Sequence, residues 1–452
     1  MKKYLALILA MIMALSLIAC SKENPENNDP PENGTGSETF VVGCLLPLSG
    51  TNQLDGQYYQ NGLELAKTEI NAAGGILGKE VVIQYEDCGT NDQEMARNAA
   101  LKLVDDGVQV IIGSYMSNNS LAVMDDIEEA EVVLFALGTS PDISAKGYEY
   151  TWQPRILETQ RAGVYADIAM DIFDAKNIAV ISVTNSSSMV STKRMIEKLK
   201  DTYGIEIPES QIIYAAEDET NFTSAIATIL GSGADTLFCN GGTAPFAIPF
   251  AQQFYDAGGY SKMNLVGANV FAATAFLESV SAEASSGWYN ASDWSPDLLD
   301  YADQLEGIPE EAIKFEAAYR EMFKDRSADK SVWSYDCLYM TKFACEQAGT
   351  TESGAAINDG LKKVDYQGVG SYYRAGDDLH NVLGCDVLVG VTENGKNIPV
   401  KFLALKPTRE SESSLLSHPK QNSGRILFLL LANTILMQCV NGGSKSGSPL
   451  TR

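Results

Sequence analysis

Short apolar runs alternate with helical segments along most of this chain, and this alternation constrains the fold more than any other feature. Phe40 to Pro47 is a continuous apolar run, typical of a parallel strand that is buried on both faces. From Gln57 to Ala73 apolar residues recur at helical spacing, and Gly74-Gly75 predicts the end of that helix. Further strands are predicted at 81–85, 108–113 and 132–137, and further helices at 92–104 and 121–130. This order predicts a parallel sheet with helices on both faces.

The same alternation begins again after Arg155. Strands are predicted at 178–183, 211–214, 236–239 and 265–266, and helices at 159–171, 190–200 and 222–230. Two such series predict an α/β protein with two doubly wound, Rossmann-like lobes. Ligands of doubly wound sheets bind at the carboxyl ends of the strands. A cleft between the lobes is therefore the expected binding site.

The N-terminus has the pattern of an export signal. Lysines at positions 2 and 3 precede an apolar run that ends at Ala19, and Cys20 follows. Residues 17–20 resemble a bacterial lipobox, in which the cysteine receives lipid and becomes the mature N-terminus. The polar segment 21–39 then has the composition of a flexible tether. The alternative is an uncleaved anchor, because the apolar run could nearly span a bilayer.

Composition excludes several classes of function. The net charge of −26 would repel phosphate-rich partners and argues against nucleic acid. With two histidines in the chain, neither a histidine-based catalytic triad nor a histidine-based metal site is expected. The eight cysteines form no CxxC pair, and buried free thiols are favoured over disulfides. The sequence therefore predicts no catalytic residues, no metal and no cofactor.

Six segments together resemble one known family, the type I periplasmic binding proteins, and within it the leucine/isoleucine/valine-binding proteins. The resemblance extends from about Phe40 to Lys406, and the order and spacing of the segments make it specific. They read VGCLLPLSG, NGLELAKTEINAAGGILGKEVVIQYEDCGTND, VIIGSYMSNNS, ALGTSPDIS, ETQRAGVYA and WSYDCLYMTKFACEQAG.

The resemblance implies a protein that closes two lobes around a small solute by a hinge motion. Three passages between the lobes are expected, near Arg155, Tyr289 and Asp377. They give an N-terminal lobe of residues 40–155 and 290–376 and a C-terminal lobe of residues 156–289 and 377–406. The implied function is that of the extracytoplasmic, lipid-anchored solute-binding component of an ABC transporter, a monomer whose closed form is recognised by the permease subunits. A sensory protein that signals to a receptor or regulator is the alternative.

Residues of the first lobe that match the family's carboxylate site are Ser117 and Thr139. The physics of the segment agrees, because SYMSNNS joins a strand to a helix, where hydroxyl and unpaired N–H groups favour an anion. The alternative for Ser117 is a helix cap. Asn118 and Gly138 adjoin these residues in the expected first-lobe site, and Tyr115 could line the cleft or belong to the core.

The second lobe departs from the family at the residues that hold a ligand ammonium. Ser187 stands where a tyrosine is usual, and Asn269 stands where an acidic residue is usual. The expected ligand therefore bears a carboxylate or similar acceptor, with no requirement for an α-amino group. Asp55 could supply the missing anion or could be a solvated loop residue.

Three further features remain open in the sequence. Phe271 could line the cleft or belong to the core, and Thr243 could contact the ligand or form a turn. Cys88 matches a family cysteine whose usual disulfide partner falls at Met116, so that bridge is expected to be absent. Residues 407–452 have no counterpart in the family. A peripheral helix, a disordered end and a reading-frame accident are the alternatives for this segment, and a poorly ordered appendage is preferred.

Overall fold

The computed structural model describes residues 38–305, 308–326, 329–375, 381–384 and 386–404. The predicted lipidation site Cys20, nearly all of the predicted tether and the tail from Pro407 lie outside the described residues, as does Asp377. In the described ranges, no helix combines the length and the apolar character that crossing a membrane requires.

The first sheet has five parallel strands in the order β2-β1-β3-β4-β5. Strands β3 and β4 are buried at every position, as expected for a sheet that is covered on both faces. The strands are β1 (Thr39–Leu46), β2 (Glu80–Asp87), β3 (Val110–Gly113), β4 (Val133–Phe135) and β5 (Thr151–Trp152).

The second sheet repeats this order and then extends it. Its parallel strands follow the order β7-β6-β8-β9-β10, and an antiparallel hairpin, β13–β14, is added beside β10. The remaining strands, in chain order, are β6 (Ile178–Val183), β7 (Ile212–Ala215), β8 (Thr236–Asn240), β9 (Asn264–Gly267), β10 (Trp288–Ser292), β11 (Asp365–Gln367), β12 (Tyr372–Arg374), β13 (Asp386–Glu393) and β14 (Lys396–Ala404). Strands β11 and β12 form a separate two-stranded sheet.

Helices connect the strands of both sheets. In chain order they are α1 (Gln53–Ala72), α2 (Gln93–Asp105), α3 (Ser117–Glu129), α4 (Pro141–Ala145), α5 (Glu158–Asp167), α6 (Ser186–Tyr203), α7 (Thr223–Gly231), α8 (Ala244–Asp256), α9 (Thr274–Leu277), α10 (Ala282–Ser285), α11 (Leu298–Tyr301), α12 (Glu310–Phe323), α13 (Asp329–Ala348) and α14 (Gly354–Leu361). A π-helical turn, Ile168–Ile172, extends α5.

Helix α1 packs closely against the much later helix α13. The approach requires Gly62, because a Cβ at this position would lie 2.0 Å from the carbonyl oxygen of Ser331. The hydroxyl of Ser331 donates to the carbonyl oxygen of Tyr58 at 2.7 Å, and the hydroxyl of Ser334 donates to that of Tyr59 at 2.8 Å. The late helix thus completes the core of the first sheet.

The chain passes three times between the core of the first sheet and the core of the second. The passages lie between residues 152 and 156, between 291 and 294, and between 383 and 387. Strand β10 stays in the second sheet as far as Ser292, so the second passage lies a few residues beyond the expected position at Tyr289.

The cysteines of the described residues are buried free thiols. They are Cys44, Cys88, Cys239, Cys337 and Cys345. Burial raises the pKa of the Cys88 thiol to about 12. The expectation that Cys88 forms no disulfide agrees with this state.

Candidate functional site

A cavity of about 60 Å³ lies where the loops at the carboxyl ends of the strands of both sheets meet. Both sheets have the strand order in which the direction of winding reverses beside the first strand, and ligands of doubly wound folds bind at such a point. The loops that follow β3, β6 and β8 all reach the cavity. Its lining residues are Tyr115, Met116, Ser117, Asn118, Thr139, Arg155, Glu158, Asn185, Ser186, Ser187, Ser188, Asn240, Gly242, Thr243 and Asn269.

Four helices begin at this cavity, one of them α5 at Glu158. Helix α3 begins at Ser117, α6 at Ser186 and α8 at Ala244, directly after the lining residue Thr243. The first turn of a helix carries N–H groups without helical partners and the positive end of the helix dipole. Their convergence makes the cavity favourable for an anionic group.

Ser117 is a buried wall residue whose hydroxyl does not cap helix α3. The N-cap position belongs to Met116, and no side chain caps this end. The hydroxyl oxygen of Ser117 instead lies 2.7 Å from that of Ser187 and accepts the backbone N–H of Ser140 at 3.3 Å. The structure therefore excludes the capping alternative for Ser117.

Thr139 and Glu158 are joined by two hydrogen bonds. The hydroxyl of Thr139 donates to Oε1 of Glu158 at 3.1 Å, and the backbone N–H of Glu158 donates to the carbonyl oxygen of Thr139 at 3.0 Å. Both side chains are more than nine-tenths buried. The predicted site residue Thr139 thus shares its corner of the cavity with an acid at the start of helix α5.

Polar contacts join the two sides of the cavity. Besides the pair of Ser117 and Ser187, the hydroxyl oxygens of Ser140 and Ser186 lie 2.9 Å apart. The Ser186 hydroxyl also donates to Oδ2 of Asp142 at 3.1 Å. The loops that follow strands of the first sheet therefore touch the start of helix α6 directly.

Four charged side chains surround the first passage between the cores. Arg155 Nε lies 3.2 Å from Oδ2 of Asp293, and Arg161 bridges Asp293 Oδ1 at 3.0 Å and Glu158 Oε1 at 3.2 Å. Burial alone would raise the pKa of the Asp293 carboxyl, but the guanidinium groups of Arg161 and Arg155 hold it below its usual range. Two cations and two anions thus balance each other beside the cavity.

The second sheet supplies polar groups that carry no charge. Ser187, Thr243 and Asn269 were predicted as site residues, and all three line the cavity. Asn185 and Asn240, which were not predicted, line it as well. Thr243 is 2% exposed and stands at the N-cap position of α8, where its side chain makes no capping hydrogen bond. The backbone N–H of Asn269 donates to the hydroxyl of Tyr165 at 3.0 Å, which fixes this loop.

Two predicted site residues lie away from the cavity wall. Phe271 is fully buried in the core of the second sheet, where its ring stacks on Trp288 with centroids 4.1 Å apart. Asp55 is 2% exposed, and its Oδ1 lies 2.9 Å from the ammonium nitrogen of Lys330. Of the two alternatives for Phe271, the structure shows the core position. Asp55 forms a buried ion pair and is neither a cleft residue nor a solvated loop residue.

Gly138 supports the site without lining the cavity. A Cβ at this position would lie 2.8 Å from both Cα and Oγ of Ser117. Only a residue without a side chain permits this approach between the loop after β4 and the start of α3.

The sequence prediction missed several lining residues, chiefly Arg155 and Glu158. Arg155 was expected at a passage between lobes, and Glu158 begins the ETQRAG segment, so both were close to recognised features. The pattern did not indicate that either charge would be buried at the cavity. Among the described residues, no group of histidine, cysteine and acidic side chains could hold a metal ion.

Comparison with protein families decides which family this arrangement represents. The family model described as periplasmic binding protein matches residues 39–396. The chain therefore belongs to the periplasmic binding protein family. The match includes both sheets up to the start of strand β14 and every residue that lines the cavity.

Relatives and solved structures within this family extend the comparison. A Leu/Ile/Val-binding protein of Rhizobium johnstonii is 25% identical over 335 residues, which covers 72% of this chain and 83% of the relative. A branched-chain amino acid transporter substrate binding protein of Streptococcus pneumoniae, in complex with isoleucine, has a TM-score of 0.69 at 22% identity and covers 80% of this chain and 98% of its own. A solute binding protein of Rhodopseudomonas palustris, in complex with 3,4-dihydroxybenzoic acid, has a TM-score of 0.71 at 18% identity and covers 81% and 97%.

These comparisons confirm the predicted fold. The chain has the type I periplasmic binding protein fold, with mixed α/β architecture and two doubly wound sheets. The resemblance stated from sequence segments alone is confirmed by the family match.

Proposed function

We propose that this protein is the extracytoplasmic solute-binding component of an ABC transporter and that it carries a small carboxylate-bearing solute to the permease subunits. The observation that carries the proposal is the cavity at the carboxyl ends of both sheets, lined by hydroxyl, amide and charged groups. Family membership and the transport components among its relatives support the same role. A branched-chain amino acid or a related compound is the solute class that these relatives suggest.

The proposed mechanism is closure of two lobes about the three passages of the chain. The first sheet with its helices forms the N-terminal lobe, and the second sheet with its helices forms the C-terminal lobe. The solute contacts both lobes, so it binds the closed form more tightly than the open form and shifts the population toward it. Arg155 and Asp293 belong to two different passages, and their ion pair ties these passages together.

The solute carboxylate is proposed to bind at the start of helix α3. The hydroxyl of Ser117, the backbone N–H groups of the first turn and the positive end of the helix dipole favour an anion there. Asn118, in the same turn, adds an amide group to the wall. Tyr115 supplies an aromatic surface for the apolar part of the solute.

The role of the family is solute binding, and we propose that the chain has no catalytic activity of its own. Its relatives are named as binding proteins, and they do not favour the sensory alternative. We further propose that the protein acts as a monomer, attached to the outer surface of the cytoplasmic membrane through lipid on Cys20.

A binding experiment tests the carboxylate site. Amino acids and carboxylic acids are first compared by thermal shift, because a ligand that binds only the native state raises its apparent stability. The best ligand is then titrated by calorimetry into the wild type and Ser117→Ala. Since a hydrogen bond to a charged group contributes roughly 1.5 to 3 kcal/mol, we expect binding to weaken about tenfold to a hundredfold.

The matched control is Ser224→Ala, which alters an exposed serine of helix α7 that is not among the residues lining the cavity. Its affinity should equal that of the wild type. Equal affinities for Ser117→Ala and the wild type would contradict the proposed carboxylate site, and a complete lack of stabilisation by every solute would contradict the proposed function.

A further inference from the structure

A second cavity, of about 290 Å³, lies between helices α1, α12 and α13 and strand β11. None of its lining residues belongs to the cavity at which the solute carboxylate is proposed to bind. Four of its eleven lining residues carry aromatic rings, and three carry carboxylates. The volume is close to the lower end of the range for small-molecule pockets.

The aromatic rings of this second cavity are held in fixed positions. They belong to Phe315, Tyr335, Tyr339 and Tyr366. The ring centroids of Phe315 and Tyr335 lie 4.9 Å apart, and those of Tyr335 and Tyr339 lie 4.8 Å apart. The hydroxyls of Tyr335 and Tyr339 both donate to Oε2 of Glu69, at 2.5 and 2.8 Å. The aromatic wall is therefore formed before any ligand binds.

Asp336 holds the turn that follows β11 against the cavity. Its Oδ1 accepts the backbone N–H of Val369 at 3.0 Å, and its Oδ2 accepts the backbone N–H of Gly370 at 2.8 Å and the hydroxyl of Tyr373 at 2.6 Å. Burial raises the pKa of the Asp336 carboxyl to about 6, so this side chain is still mainly ionised at neutral pH. A buried negative charge therefore belongs to the wall of the second cavity.

The charges of this wall are unbalanced. Glu69, Glu311 and Asp336 supply three carboxylates, whereas Lys314 supplies one ammonium. This ammonium pairs with Glu310, which does not line the cavity, over a distance of 2.7 Å from Nζ to Oε1. The ionised lining side chains thus carry a net charge of −2, and the overall charge of −26 also attracts cations.

Aromatic rings and excess negative charge together select one kind of ligand. A cation over the face of an aromatic ring is attracted to it within about 6 Å of the centroid. Within the described ranges no group of side chains could hold a metal ion, so the cation is not expected to be a metal. The apolar groups of an organic cation pack on the rings, and its charge is balanced by the carboxylates.

We propose that this second cavity is a binding site for a small organic cation with an alkylated ammonium group. Every residue that lines it belongs to the proposed N-terminal lobe. The closure of the two lobes therefore neither assembles nor dismantles the site, and the cation can bind in the open and the closed form alike.

Choline chloride and 3,3-dimethylbutan-1-ol test this inference on the wild-type protein. The two compounds have the same shape, but the alcohol has a carbon atom in place of the charged nitrogen. In calorimetry at constant ionic strength, we expect choline to bind about three- to thirtyfold more tightly than the alcohol. Equal or tighter binding of the alcohol would overturn the selection of a cation, and a lack of choline binding at millimolar concentration would overturn the site.

Variants then assign the preference to the second cavity. Tyr339→Leu removes a ring and should lower the affinity for choline about threefold or more, whereas Tyr339→Phe keeps the ring and should retain most of it. Glu311→Gln removes an exposed carboxylate and should have a smaller effect in the same direction. The control is Tyr214→Leu, which alters an exposed tyrosine that does not line the cavity and should leave the affinity unchanged.

Each remaining outcome is also decisive. Unchanged choline affinity in Tyr339→Leu would overturn the site, even if the wild type prefers choline. If that variant does not fold, Tyr366→Leu and Glu311→Gln carry the test, and unchanged affinities in both would overturn it equally.

Competition separates this site from the cavity between the lobes. Choline affinity should be the same with and without a saturating amount of the best carboxylate found by thermal shift. Displacement of choline by that carboxylate would place both compounds in one cavity and would overturn the second site, while the proposed solute-binding function would stand.

Discussion

Glu316 is a carboxylate that the fold keeps almost completely from solvent. It lies on helix α12 at 0% exposure, where Oε1 contacts Arg320 at 2.6 Å and Oε2 accepts the backbone N–H of Leu299 at 2.9 Å. Burial outweighs the guanidinium of Arg320 and raises the pKa of Glu316 to about 8. Near neutral pH the folded protein therefore binds a proton that the unfolded chain releases.

This shift predicts how stability depends on pH. Because the folded pKa of Glu316 is raised above the ordinary value of 4.5, its contribution is fully present below about pH 4.5 and is lost as pH rises through about 8. In Glu316→Gln this dependence is removed. Urea unfolding at pH 5 and pH 8 should thus show the stability of the wild type, relative to the variant, falling as pH rises.

The control for this measurement is Glu310→Gln, on the same helix but exposed and paired with Lys314. The pH dependence of the unfolding free energy of Glu310→Gln should not show the change that Glu316→Gln produces. Parallel pH profiles for the wild type and Glu316→Gln would show that the buried carboxyl has no raised pKa.

At the residue scale, the position of a loop after a strand explains which of the predicted site residues line the cavity. Ser117, Ser187 and Thr243 each follow a predicted strand of a doubly wound sheet, so topology alone brings them to the cavity. Glu158 was missed because an acid in the first turn of a helix is usually explained by the helix dipole at the surface. Its burial depends on Arg161 and on Asp293, which is distant in sequence.

At the scale of elements, the loops after β2 and β7 meet across the cavity mouth. The side-chain amide of Asn91 donates to Oε2 of Glu217 at 3.2 Å, and its oxygen accepts from the amide of Asn118 at 3.1 Å. The amide of Asn185 donates to the other oxygen of Glu217 at 3.4 Å. Burial raises the pKa of Glu217 because the carboxylate loses contact with water. The hydrogen bonds from these amides replace part of that lost hydration.

Removing one of these contacts should favour the open form. Asn91→Ala deletes the donor from the first lobe, and a net loss of about 0.5 to 1.5 kcal/mol corresponds to roughly two- to tenfold weaker solute binding. Small-angle scattering at a subsaturating solute concentration should give a larger radius of gyration than that of the wild type. Gln57→Ala, which removes an exposed amide contact within α1, serves as control. Unchanged affinity and radius for Asn91→Ala would show that the contact does not stabilise closure.

The accuracy of the sequence prediction differs between the strands and helices, the starts of helices and the hairpin β13–β14. Most strands and helices of residues 39–267 agree with the apolar periodicity within a few residues, since β-branched runs and helical spacing are local signals. The two serine-rich helix starts at Ser117 and Ser186 lie earlier than expected, because polar first turns carry no apolar pattern. The hairpin β13–β14 was not predicted, and it extends the second sheet through antiparallel pairing with β10.

For the whole molecule, the attachment to the membrane is a separate prediction. Cys20 follows an apolar run and precedes a polar segment, and lipid on its thiol would place the binding lobes outside the cytoplasmic membrane. Growth with a labelled fatty-acid analogue should mark the wild type and leave Cys20→Ala unmarked. Cys88→Ala is a suitable control, because it alters a buried thiol and should be labelled normally. Equal labelling of Cys20→Ala and the wild type would contradict lipidation at this residue.

The close packing of α1 against α13 determines when this protein can finish folding. The bond from Ser331 to Tyr58 joins residues 273 positions apart, and most of the second lobe, from β6 to β10, is made between them. Contacts of such long sequence separation form slowly because a long loop must be closed first. A chain leaving the ribosome therefore cannot complete its first lobe until most of its length has been synthesised. For the proposed exported protein, such a delay would leave the polypeptide unfolded while it is threaded across a membrane.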